Sequence, residues 1–190
     1  MKNITNQRRS FLSKMLITGV GGVALFSSSA FARGGRNKTS ATTLTAEQEA
    51  SIFFMYQEEK VARDVYITLG EIYPDENTFA SIQLSEQRHI DSVEDLCDKY
   101  GISTEGVNEE GVGNFVLDEL QELYDKCVSD GEASLLAALK VGELIEITDI
   151  KDLVEASVGM PADVQTVFSN LKEGSESHLD AFQTAISRTQ

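Results

Sequence analysis

The chain has 190 residues, 41% of them hydrophobic, and a formal charge of -15. That length suits one domain with a sizeable core, and the acidity excludes a surface built for nucleic acid or anionic lipid while favouring cations. Only two prolines, with apolar residues recurring at gaps of three and four, predict an all-α fold.

The first 32 residues stand apart from that fold. They hold four basic residues and no acidic ones, and an apolar run from Met15 to Phe26 that is too short and glycine-rich to span a bilayer comfortably. They read as an export signal, with the small-x-small site Ala30-Phe31-Ala32 cut before Arg33. Within it, Arg8-Arg9-Ser10-Phe11-Leu12 resembles the twin-arginine motif, although Gln7 precedes the pair and the usual lysine is displaced to Lys14; the alternative is a general secretory signal with adjacent arginines. Cleavage takes the charge to -19 and implies a periplasmic or extracellular protein with no membrane association afterwards. Residues 33–44 are expected to be a disordered leader, and 45–187 the folded domain.

The first helix is predicted over 45–73, opened by a capping box in which Thr45 stands three residues ahead of Gln48. Ser51, Met55, Glu58, Ala62, Val65 and Leu69 share one face, which puts Glu58 among apolar neighbours. Glu59 lies about 100° round the helix and is the reserve candidate. Lys60 and Arg63 could instead merely pair with these acids on a solvated face.

After Pro74, the second helix is predicted over 78–100 with a stop at Gly101. Phe79, Ile82, Glu86, His89, Val93 and Leu96 form its inner register, so the Glu-x-x-His pair points where a helical core should be dry. An ionised carboxylate there costs several kcal/mol unless partnered. A glycine-rich connection follows, then a short amphipathic helix near 115–128 whose acids read as a solvated face. Cys97 and Cys127 lie 30 residues apart, and the spacing fits a disulfide worth roughly 3–4 kcal/mol as well as it fits two isolated buried thiols.

The third long helix, near 132–157, carries Leu139, Gly142, Glu146, Asp149 and Leu153 on one face, with Gly142 expected to leave room beside the acids. The fourth, near 161–187, carries Leu171, Ser175, His178, Phe182 and Ala185. A second Glu-x-x-His is missing here, because residue 175 is Ser.

Both histidines of the chain thus face inward together with Glu58, Glu86, Glu146 and Asp149. Four ionised carboxylates balance two divalent cations, which points to a dinuclear centre; the mixed donors suit iron or manganese, with zinc compatible. Inward Glu and Glu-x-x-His on four helices are the ligand pattern of di-iron carboxylate bundles. The segments EEKVARDVY, SEQRH, GELIEITDIKDL and LKEGSESHLDAF resemble an uncharacterised bacterial and archaeal ferritin-like family, over essentially residues 45–187.

That resemblance implies a ferritin-like four-helix bundle, with the short helix inside the connection between its second and third helices. It further implies dioxygen or peroxide chemistry at paired metals, as an oxidase, ferroxidase or peroxidase. Glu58 or Glu59, Glu86, His89, Glu146 and His178 would then be ligands, and Asp149 stands where relatives often have His. Tyr56 and Tyr66 would flank the centre, and electrons would come from a partner protein. Two alternatives stay open: a non-catalytic metal-binding or metal-buffering protein, and a helical interaction module with a vestigial site.

Overall fold

The computed structural model describes residues 43–190, and Leu44–Gln190 forms one compact unit. The export signal and the leader up to residue 42 lie outside the described residues. The unit is all-helical, with five helices and no strand among the described residues: α1 Ala46–Ile72, α2 Asn77–Tyr100, α3 Asp118–Gly131, α4 Leu135–Ala156 and α5 Ala162–Thr189.

The helix starts follow from local capping. Thr45 and Gln48 form the reciprocal capping box at α1. The Glu76 carboxylate accepts the Thr78 N–H at the start of α2, and the Ser134 hydroxyl accepts the Ala137 N–H at α4. Ser134 is why α4 begins at Leu135 rather than at residue 132. Gly101, at φ 71°, ends α2 in the left-handed conformation that only glycine adopts without strain. Leu44, assigned to the leader on sequence, is 8% exposed and packs into the core, so the fold begins one residue before the α1 cap.

Short connections fold α1 back on α2 and α4 back on α5. The two hairpins meet where α1 packs on α4 and α2 on α5, while α3 rests against α1 and α4. Their shared interior divides into two apolar clusters. One gathers Val65, Tyr66, Leu69, Phe79, Ile82, Leu139 and Phe182. The other gathers Ile52, Met55, Ile90, Val93, Leu153, Phe168 and Leu171. Each fully buried aliphatic or phenyl side chain contributes about 1.5–3 kcal/mol, so these clusters hold the helices in register. Along every long helix, the polar inward residues fall between the members of the two clusters. Cys97 and Cys127 are both buried thiols and lie in different clusters. No described helix is long and apolar enough to cross a membrane.

Candidate metal centre

Between the apolar clusters sit Glu58, Glu59, Glu86, His89, Glu146, Asp149 and His178, none more than 8% exposed. The four long helices deliver them: two acids from α1, the Glu-x-x-His pair from α2, two acids one turn apart from α4, and a single His from α5.

Glu86 is the hub. Its Oε2 lies 2.9 Å from His89 Nδ1, and its Oε1 lies 2.9 Å from His178 Nδ1. Each imidazole then reaches a second carboxylate: His89 Nδ1 is 3.2 Å from Glu59 Oε2, and His178 Nδ1 is 3.6 Å from Glu146 Oε2. The rings stack with centroids 5.3 Å apart. Two similar halves result, Glu59 with His89 and Glu146 with His178, joined through Glu86. Donor atoms of Glu86, His89 and His178 lie within 4.8 Å of one another, close enough to share one ion.

The surroundings fix the remaining acids. The Tyr66 hydroxyl, wholly buried, donates to Glu146 Oε1 at 2.6 Å. Ser175 donates to Asp149 Oδ2 at 2.6 Å and shares its proton with the Leu171 carbonyl at 3.0 Å. Two buried carboxylate oxygens are still without a hydrogen bond, Glu59 Oε1 and Asp149 Oδ1. Buried polar atoms are almost always satisfied, so this concentration of orphans in one place fits a set of donors meant for cations.

Electrostatics tell the same story. Burial raises Glu59 to about 7 and, helped by the Glu86 charge, Glu146 to about 8. Burial and then the charges of Glu59, Glu58 and Glu146 push Asp149 well above the usual carboxylate range. Burial also acts to raise Glu86, but hydrogen bonds from His178 and His89 outweigh it and hold the group down to about 2. Burial opposes the histidines' charge, yet their carboxylate neighbours lift His89 to about 11 and His178 to about 9. Crowded acids can keep their charge only with cations among them, and protons on the two imidazoles fill that role here.

Of the two α1 candidates, Glu59 makes the direct contact with His89, while Glu58 reaches the group through its effect on Asp149. Tyr66 bonds to the site. Tyr56 turns away, donating to Glu109 of the α2–α3 connection at 2.9 Å. The expected vacancy beside Gly142 is filled: a Cβ there would lie 2.3 Å from the Phe182 ring, so this glycine admits an aromatic side chain rather than a ligand. Sequence reasoning missed Gly174, where a Cβ would come within 2.5 Å of His89 Nε2. It also missed the use of Ser175. The only hint was a Gly-Ser pair on the inner face of α5, one turn before His178.

Lys60 and Arg63 do not lie on a solvated face. Lys60 donates to Asp64 at 2.5 Å and to the Gly111 carbonyl at 2.6 Å, and Arg63 binds Asp64, Gln87 and the Glu109 carbonyl. They tie the connection between α2 and α3 onto α1.

The helical fold is shared with a solved structure, and the sequence with a described family. Residues 48–189 match the family described as an uncharacterized protein domain (DUF2202), and the chain belongs to that family. It is 39% identical over 140 residues to the uncharacterized protein MJ0754 of Methanocaldococcus jannaschii, which covers 73% of this chain and 75% of that one. The crystal structure of the hypothetical protein MJ0754 superposes with a TM-score of 0.74 at 34% identity, over 85% of this chain and 87% of the other.

Proposed function

We propose that this protein is an exported, ferritin-like four-helix-bundle protein that binds two divalent metal ions, iron in the first instance, and uses them to turn over dioxygen or peroxide. The observation that carries this reading is the placement of Glu86: one buried carboxylate touches the Nδ1 atoms of two histidines from different helices, and each histidine has its own second carboxylate. Glu59 and His89 would hold one ion, Glu146 and His178 the other, with Glu86 between them and Glu58 and Asp149 adding negative charge. Oxygen and imidazole donors suit iron or manganese and tolerate zinc.

Iron bound there would supply electrons to dioxygen or peroxide. The chain's own part is to orient and to exclude water. Tyr66 fixes the Glu146 carboxylate from one side. The apolar clusters on both sides keep the site dry, which strengthens every charge interaction inside it. Reducing equivalents would come from a separate donor protein.

The test is elemental analysis of protein purified without chelator, wild type against a Glu86→Ala/His89→Ala variant. About two metal equivalents in the wild type and at most one in the variant are expected. Equal contents would place the metal elsewhere. Iron in the wild type, with an absorbance change on adding ferrous ion and then oxygen or peroxide, supports turnover. Zinc alone would favour metal buffering.

A further inference from the structure

Two cations held close together repel one another, and a carboxylate placed between them offsets that repulsion. On α2 that carboxylate is Glu86, three residues before His89. The equivalent place on α5, three residues before His178, is Ser175, which cannot supply a charge. Yet Ser175 is wholly buried, and its hydroxyl is bonded at 2.6 Å to Asp149 Oδ2 from the neighbouring helix.

We infer that Asp149 is the second carboxylate shared between the two ions, standing in for the acid that α5 lacks, and that Ser175 is the positioning residue that presents it. The inference rests on the metal-site reading above. Two observations carry it. Asp149 is 5% exposed, and with Oδ2 held by Ser175 its other oxygen, Oδ1, is buried with no hydrogen-bond partner. Its place also adjoins both halves: on α4 it follows Glu146 by one turn, and its partner Ser175 is next to Gly174, against which the His89 ring of the other half packs. Ser175 fits the positioning role because a one-proton donor fixes one carboxylate oxygen and leaves the second available, whereas a cationic partner would compete with the metal for both.

The role of Ser175 also separates α4 from a purely repeated design. α2 carries its shared acid and its His on one helix, three residues apart. In the other hairpin the same two groups are divided between α4 and α5, and the Ser175–Asp149 hydrogen bond joins them.

Anaerobic titration with ferrous ion of the full chain, read as equilibrium stoichiometry, tests this. The wild type is expected to bind two equivalents. Asp149→Asn, which keeps the shape and the Ser175 contact but removes the charge, should retain the first equivalent and weaken the second at least tenfold. Ser175→Ala should weaken the second several-fold. Asp149→Ala/Ser175→Glu, which moves the acid onto α5, should restore two equivalents; a merely structural role for Asp149 would not be rescued by that relocation. A wild type that binds no ferrous ion overturns the metal site itself. A wild type with two equivalents, together with Asp149→Asn binding both at unchanged affinity or a relocated acid that restores nothing, overturns only the assignment of Asp149.

Discussion

Gly174 has no side chain, and the imidazole of His89 occupies the space. A Cβ at that position would lie 2.5 Å from Nε2 and 2.8 Å from Cε1, closer than unbonded atoms can approach. The glycine therefore lets α5 approach α2 closely enough for His89 to keep its Nδ1 on Glu86 and Glu59 while its far edge rests on helix backbone. Gly174→Ala gains nearly 1 kcal/mol of intrinsic helix preference. Displacing a packed, buried imidazole costs about 1–3 kcal/mol, so the sum is unfavourable or near zero for stability. The site should suffer more than the fold. The expected result is a melting temperature within a few degrees of wild type and ferrous binding weakened about tenfold or more; unchanged metal affinity would show that His89 can shift without consequence. No spacing rule points to Gly174, because its neighbour comes from a helix 85 residues earlier in the chain.

At the scale of the helix, α1 departs from the amphipathic pattern. From Met55 to Tyr66 every residue is buried, including Lys60, Arg63 and Asp64, because the connection after α2 covers the side that faces away from the buried Glu/His cluster. Asp64 organises that cover: Oδ2 accepts from Lys60 at 2.5 Å and from the Gly113 N–H at 2.9 Å, and Oδ1 accepts from Arg63 at 2.8 Å and 3.0 Å. Gln57 and Phe115 complete it, the first accepting the Val116 N–H and the second lying under the Lys60 ammonium. Removing Asp64 leaves two cations with little access to water. Asp64→Ala should cost about 3–5 kcal/mol in urea denaturation, and exchange of the Gly113 amide should accelerate. A midpoint within error of wild type would mean that the connection contributes nothing to holding α1.

The same helix shows where sequence was and was not sufficient. Glu58, Ala62, Val65 and Leu69 share a face by period alone, and the inner residues of α2, α4 and α5 follow the same rule, so the inward acids and histidines were legible. The choice between Glu58 and Glu59 was not, since it depends on how α1 is rotated against α2. Nor was the burial of Lys60 and Arg63: a run of charges looks the same in sequence whether water or a glycine-rich loop lies over it. Five helices among the described residues could be counted in advance; the pairing of Ser175 with Asp149 across two of them could not.

The whole molecule must tolerate a cluster of acids in its middle, and this makes its stability depend on protons and, on the proposed metal-site reading, on metal as well. Glu59 and Glu146, raised to about 7 and 8 mainly by burial, bind protons in the folded chain that they would lose near 4.5 when unfolded. Their contribution is complete below about 4.5 and falls as pH climbs to those folded values. His89 and His178, lifted to about 11 and 9 by their carboxylate partners against burial, contribute fully below about 6.5 and progressively less above it. Within the cluster Glu86 alone, held near 2, acts the other way, and its contribution is lost in acid. Chelator-treated protein is therefore expected to lose stability steadily between about pH 5 and pH 9, the groups titrating as a coupled set. Metal ligation requires ionised carboxylates and neutral imidazoles, so cations displace these protons and bind more tightly as pH rises. Thermal melts of chelated and manganese-loaded protein at pH 5, 6.5 and 8 should diverge, the chelated sample falling while the loaded one holds. A gap that stays constant or narrows with rising pH would mean that the buried carboxylates and imidazoles do not exchange protons for metal.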